Sequence, residues 1–552
     1  WRTVFTRPMA IWDGNAFYPF ARTIMGSDHL FTEMLMGLPV YSLTENPFLS
    51  YYFILYAGYA VGAWGMFRLG IALFRHTTPA LAAAVFFTVA LPRSIHATAH
   101  IQLATLAWMP WSALFIHRLF RRTSAGSVIG LVMTSVLQIL CGWYLAVYHA
   151  VAMSVILLTL TVSRRRREPV LLVVASGIIV VGLVLPFALP YAGRPDIPQE
   201  VWSGYSARLM NYLTPASYTL YSSGSGSMTM WSETTVWMGF LVPALAVITV
   251  FFRGKPDRMG RQPETAAYTL IAVTGIILSC GNHLPGIPPE YAPWKLFAQL
   301  PAVGGMRVPA RAVLMTVFAL SVVFGRSVWV ICHKLPWRRS GEIIAALVIV
   351  LVMLENFPNL PVTPVRTQVP EVYSWLERLP DNVPVAEVPS FYGTDLWAFS
   401  ADYMMFAALH RHPVANGYSR YVPAGFPEVS RAINALPSPV AIRTLKDLGI
   451  EFVIVHPQMC FNDTMTELFR EMSAARDPIR VFNEVIDLSN TNYRSVFSSE
   501  GLALEISFLE SPYMDLVDRF GKDLIFYLKD IHIVDSQGAQ PNVAESMVPS
   551  RL

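Results

Sequence analysis

GGMRVPARAVLMTVFALSVVFGRSVWVIC, residues 304–332, decides the architecture. A glycine-led, cationic entrance opens into the apolar block 307–332, which exceeds the roughly 20 residues a helix needs to cross a bilayer. Pro309 suits a first helical turn, and Arg307 and Arg311, at i and i+4, share one side of it. Gly304 and Gly305 let another segment approach closely. Cations at such an entrance cost desolvation unless an anion meets them. This pair is therefore expected to bind a lipid monophosphate or diphosphate, the alternatives being a structural salt bridge or a headgroup anchor.

Working outward, the same apolar character recurs in ten blocks, at about 48–74, 79–91, 100–117, 125–141, 146–162, 169–190, 234–252, 265–280, 307–332 and 341–355. Ten crossings are the simplest reading, the shorter blocks extending into loops or forming broken helices buried in protein. The 552 residues are 54% hydrophobic and 14% charged, which excludes a cytosolic enzyme and a disordered chain. A net charge of +4 carries no nucleic-acid signature, so no nucleic-acid partner is expected. The four cysteines, at 141, 280, 332 and 460, suggest neither a disulfide framework nor a zinc site.

Basic residues set the orientation. Fifteen Lys and Arg fall in alternate loops and four in the intervening ones, which puts the richer loops in the cytoplasm. Residues 1–47, the turns near 92–99 and 142–145, the loops 191–232 and 281–306, and everything after 356 then lie outside. The chain starts at Trp1 without an initiator Met, and the natural protein is expected to extend further, one earlier helix giving eleven spans.

Three regions are expected: an outer segment with amphipathic pieces over 1–47, a helical bundle over 48–356, and an α/β domain over 357–552. In the last, PEVYSWLERLP reads as a helix, VPVAEVP at 383–389 and EFVIVHP at 451–457 as strands, and RSVFSSEGLALEISFLE as a hairpin around Glu500 and Gly501.

Polar residues in the outer segments are the candidates for chemistry. Asp13, Asp28, His29, Glu33 and Glu45 lie near the expected membrane surface, where a carboxylate binds a divalent cation or takes a proton from a hydroxyl; Asp13 and Asp28 also suit capping of surface helices. His96 and His100 share a face if 93–103 is helical, suited to a phosphate, a sugar hydroxyl, a metal or simple packing. Arg208 and Glu233 are expected at the mouth of the bundle, Glu233 serving a ligand or a helix start. HRHPVANGYSRYVPAGFP at 410–427 reads as a surface loop in which His412 and Asn416 bond sugar hydroxyls, or as an irregular packing loop.

In order, WDGNAFYP, SDHL, HIQLATLAWMPWSAL, CGWYLAVYH, GYSARLMNYLTP, GMRVPAR, VAEVP and VANGYSRY resemble bacterial multispanning proteins of the YfhO-like kind, in the GT-C class of membrane glycosyltransferases. The resemblance implies a GT-C-like bundle in the cytoplasmic (inner) membrane with an extracytoplasmic α/β domain. It also implies a sugar donor on a polyprenyl phosphate and a glycan, lipid or protein acceptor. An acid of the first outer loop would act as base or place Mg²⁺ or Mn²⁺, and Asp13 and Asp28 match the later part of that loop. Arg307 and Arg311, helped by Arg208, would hold the donor phosphate, with His96 and His100 lining the cavity. The alternative is a nonenzymatic lipid transporter, flippase or assembly subunit, in which the same arginines anchor lipid and the outer domain docks a partner.

Overall fold

The structure is a computed structural model that describes residues 3, 7–97, 100–192, 199–216, 219, 221, 233–251, 263–300, 303–334, 338–357, 369–380, 382–393, 397–459 and 498–530. The chain forms two compact units, Asp28–Gly226 with Trp231–Pro361, and Trp1–Ser27 with Ser227–Met230 and Val362–Leu552.

The larger unit is a membrane protein's helical bundle. Four helices are long and apolar enough to cross a bilayer: Pro47–Phe74, Trp143–Arg164, Arg167–Tyr191 and Pro309–His333. The last, opened by the entrance 304–313, is the most enclosed and packs against Thr77–Val89 and Pro263–Ser279. Arg167–Tyr191 instead turns most of its apolar surface outward, as a lipid-facing helix does. Each of the ten apolar blocks contains a helix, but several are short. Thr77–Val89 has 13 residues, about 20 Å of rise, too little for the hydrocarbon core.

The chain breaks there because Pro92 follows a turn at Ala90, and short helices Leu91–His96 and Ile101–Ala104 come next. Arg93, fully buried, holds the break together. Its Nε donates to Ala104 O (2.7 Å) and its Nη1 to Phe87 O (3.1 Å), both near helix ends, between the rings of Tyr59 (4.1 Å) and Phe87 (4.6 Å). Helix-end carbonyls carry partial negative charge, so they offset a buried guanidinium.

The smaller unit is an α/β sandwich. Strands β1 (Val385–Val388), β2 (Phe452–Val455), β3 (Met514–Phe520) and β4 (Asp523–Leu528) lie in the order β1-β2-β4-β3, the first pair parallel and the others antiparallel. Alternate residues face opposite ways. Ala386, Val453, Val455 and Phe526 meet Val429, Ile433, Ile442 and Leu445 of Phe426–Asn434 and Pro439–Asp447. Val385, Ile454 and Ile525 meet Val372, Leu376 and Phe406 of Glu371–Leu376 and Ser400–His410.

Two sequence expectations need correction. The hairpin around Glu500 and Gly501 is a helix, Ser498–Leu509. Leu504 and Phe508, four apart, both pack on the sheet, a helical period that the Glu-Gly pair obscured. The real hairpin follows, turning at Gly521 (φ 62°) between β3 and β4. The first outer segment is also divided, at Ser27, rather than forming one region up to residue 47. Its early part is held by backbone pairing: Val414 N donates to Asn15 O (2.7 Å), Tyr18 N to Val414 O (3.0 Å) and Phe17 N to Asn416 O (3.0 Å).

Candidate functional site

The start of the helix Trp143–Arg164 gathers residues from four distant parts of the membrane unit. Its first N–H, Trp143 N, donates to Asp28 Oδ1 (3.2 Å), and Gln102 Nε2 donates to Asp28 Oδ2 (3.2 Å). Asp28 therefore caps a helix 115 residues away in sequence, favoured by the positive end of the helix dipole. Gly142 makes this approach possible, since a Cβ there would lie 3.2 Å from Asp28 Cγ.

One residue further, the Tyr144 hydroxyl accepts from Arg307 N (2.8 Å) and Val308 N (3.1 Å), which docks the entrance 304–313 on the same helix start. The Tyr144 ring lies under the Arg311 guanidinium at 4.7 Å. Arg311 makes three hydrogen bonds: its Nε donates to Glu233 Oε2 (3.0 Å), its Nη2 to Glu233 Oε1, and Nη2 also to His100 Nε2 (3.0 Å). A guanidinium only donates, so His100 Nε2 accepts and its ring is neutral with the proton on Nδ1. His96 Nδ1 stands 3.9 Å from Glu233 Oε2.

Charge follows from this geometry. Burial alone would raise the Glu233 carboxyl, but Arg311 beside it, helped by the hydrogen bonds, holds it down to about 2. Burial lowers His96 to about 4, opposed by Glu233 and reinforced by Arg311. The Glu233–Arg311 pair thus neutralises itself between neutral imidazoles. Arg307 is different: half-buried, it meets the Tyr205 ring at 5.4 Å and, among the described residues, no carboxylate. What remains is an acid at the helix start with its oxygens directed by two N–H donors, and a nearby cation, docked through its backbone, that meets no carboxylate among the described residues.

The expected site residues therefore divide. Asp28, Glu233, Arg307, Arg311, His96 and His100 lie in the membrane unit and are joined by the contacts above. The structure gives Arg311 the salt-bridge role, its fork already filled by Glu233, in place of free phosphate binding. Arg208 is exposed, its backbone N–H donating to Asn211 Oδ1 (2.6 Å). Asp13 belongs to the smaller unit, where its Oδ1 accepts from Arg22 N (2.6 Å) in a turn.

His412 and Asn416, expected on a surface loop, are buried instead. His412 Nε2 pairs with Leu376 O (2.8 Å), and the Asn416 amide is spent on Glu387 N and O (both 2.8 Å). The loop is drawn inside because Val385 N donates to Pro413 O (2.9 Å) and Ala415 N to Val385 O (2.8 Å), extending the sheet beside β1. Among the described residues no three His, Cys, Asp or Glu side chains converge as a ligand set, so the expected Mg²⁺ or Mn²⁺ has no assigned ligands here. Tyr144 was missed because an aromatic residue at the end of an apolar block reads as an interfacial anchor.

No protein-family model matches the chain, and no curated protein matches it in sequence. Among solved structures, the arabinofuranosyltransferase AftD from Mycobacteria aligns over 95% of this chain and 37% of its own, at 16% identity and a TM-score of 0.57. The chain therefore spans little more than a third of that protein and shares the fold of the part that aligns. ArnT from Cupriavidus metallidurans, solved bound to undecaprenyl phosphate, aligns over 90% of this chain and 87% of its own, at 12% identity and a TM-score of 0.43. The oligosaccharyltransferase of Archaeoglobus fulgidus, tethered to an acceptor peptide, aligns over 83% and 64%, at 12% and 0.42.

Proposed function

We propose that the protein transfers a sugar from a polyprenyl-phosphate donor to a glycan, lipid or protein acceptor, on the extracytoplasmic face of the cytoplasmic membrane. The observation that carries this reading is an oriented carboxylate, Asp28, capping the helix start on which the backbone of Arg307 docks, Arg307 being a cation that meets no carboxylate among the described residues. The similarity to a glycosyltransferase fold supports it, and the alternation of basic loops supports the side.

With a hydroxyl acceptor, Asp28 takes the acceptor proton as its oxygen attacks the sugar's anomeric carbon. The bond from that carbon to the phosphate oxygen breaks, and the electron pair leaves on polyprenyl phosphate. Arg307 stabilises the growing phosphate charge. Glu233, Arg311 and His100 keep the entrance 304–313 in register, and Arg311 does not itself need to touch substrate.

The test is transfer of labelled sugar in membranes supplied with a polyprenyl-phosphoryl sugar. Asp28→Asn keeps the cap's shape and removes the base, so transfer should fall by about 10²-fold to 10⁴-fold. Arg307→Ala should cost about 10²-fold or more in kcat/KM with little change in melting temperature. Full transfer in Asp28→Asn would reject Asp28 as the base, and no transfer by the wild type, as expected of a lipid transporter or flippase, would reject the transferase.

A further inference from the structure

Behind Asp28 lies a second acid that the mechanism above leaves unused. Glu33, third residue of the helix Phe31–Thr44, is 2% exposed. Its Oε1 lies 2.6 Å from Thr105 Oγ1, and the same Oγ1 lies 3.2 Å from Gln102 O. A threonine hydroxyl has one hydrogen to give. If Glu33 is ionised, that hydrogen goes to the carboxylate and the Gln102 carbonyl loses its donor. If Glu33 carries a proton, both contacts are hydrogen bonds: Glu33 donates to Thr105 Oγ1, and Thr105 donates to Gln102 O. Gln102 is also the residue whose side-chain amide holds Asp28 Oδ2.

The surroundings favour the protonated form. Glu33 Oε2 is buried without a hydrogen bond to a described residue, a costly place for an anion. The titratable groups that face Glu33 are the Cys141 thiol, from the turn before Trp143–Arg164, and Asp28; neither brings positive charge. Burial first, and Asp28 in the same direction, raise Glu33 to about 7 against the hydrogen bonds that lower it. Burial also lifts the Cys141 thiol well above its ordinary range, so it stays neutral as Glu33 titrates.

We infer that Glu33 is the protonated member of an acid pair and the positioning residue for Asp28, acting through Thr105 and Gln102. The inference rests on the transferase reading only for its consequence in activity. Loss of the Glu33 proton turns the Thr105 hydroxyl away from Gln102 and places a second negative charge beside Asp28, where acceptor activation and the donor phosphate both need it absent.

Two readouts test this on the full-length, detergent-solubilised protein. Infrared difference spectroscopy should show a protonated-carboxyl C=O band that disappears with a midpoint near pH 7 and is missing in Glu33→Gln. In Thr105→Val, which keeps the side chain's shape, the band should move as the acid loses its acceptor. No such band in the wild type, or an unmoved band in Thr105→Val, overturns the assignment whatever the protein catalyses. In the transfer assay, wild-type activity should decline on the alkaline side, approaching about tenfold per pH unit, and Glu33→Gln should flatten that limb. A titrating band with an unchanged limb in Glu33→Gln overturns the positioning role. Absence of transfer by the wild type at every pH would instead count against the proposed function and leave the infrared result standing.

Discussion

Each unit buries a cluster of charge, and the two are built oppositely. In the membrane unit, Glu233 and Arg311 cancel each other between neutral histidines, while Arg307 meets no carboxylate among the described residues and Asp28 is held by two N–H donors. In the smaller unit, Glu387 of β1, His456 after β2 and Asp523 of β4 close on one another. His456 Nε2 meets Glu387 Oε2 (3.0 Å), His456 Nδ1 meets Asp523 Oδ1 (2.8 Å), and Tyr373 donates to Glu387 Oε2 (2.6 Å). The second cluster ties three strands; the first, in the proposed reading, is where the donor phosphate and the acceptor meet. A buried charge therefore marks a binding site only when its neighbours leave part of the electrostatic demand unmet.

Breaking the pair should have the largest effect. Glu233→Gln leaves Arg311 buried without its anion, and removing one partner of a buried pair costs about 3–5 kcal/mol; thermal unfolding of the purified protein checks it. Removing Arg307 should not have this effect, which is the sharpest contrast between the two arginines.

The second prediction sets the clusters at opposite ends of the pH scale. Burial would lower His456, but hydrogen bonds and charge from Asp523 and Glu387 raise it to about 9. A raised histidine contributes stability in full below its unfolded value, near 6.5, and loses it as pH climbs through about 9. The contribution is on the order of 3 kcal/mol. Glu233 is the reverse case: depressed from 4.5 to about 2, it stabilises above its unfolded value and fails as pH drops through that window. Hydrogen exchange resolved by unit should show the sheet loosening on the alkaline side and the bundle entrance on the acid side. His456→Gln should remove the alkaline limb alone.

Smaller effects follow. Tyr373→Phe leaves the buried Glu387 short of one donor, worth about 1–3 kcal/mol, measurable by the same exchange. Arg431, 75% exposed beside Glu428 in an i,i+3 pair, should matter least: Arg431→Ala should cost under about 1 kcal/mol, and a larger loss in melting temperature would show that exposed charge is not the bland case assumed.

Much of this was legible along the chain where the signal is local. The run after Pro309, the helix in PEVYSWLERLP and the strands in VPVAEVP and EFVIVHP depend on periodicity within a few residues, and the structure places elements at all of them. The candidate site was legible in part. Asp28, Glu233, Arg307 and Arg311 stood out as ionisable groups near expected spans, but which of them pair did not. Glu233 and Arg311 are 78 residues apart, and nothing in their spacing distinguishes a salt bridge from two ligands of a phosphate. His412 and Asn416 looked exposed because polar, proline-rich segments usually are; backbone pairing beside β1 buried them.

Composition and hydropathy alone established a membrane-embedded helical chain with a more polar α/β region, because lipid demands long apolar helices whatever they pack against. Tertiary structure decided the chemistry. It assigned Asp13 and Asp28 to different units, closed Arg311 onto Glu233, gave Arg307 no carboxylate among the described residues and set Glu33 behind Asp28, since the worth of a charge depends on what lies within a few ångströms of it and not on its place in the sequence.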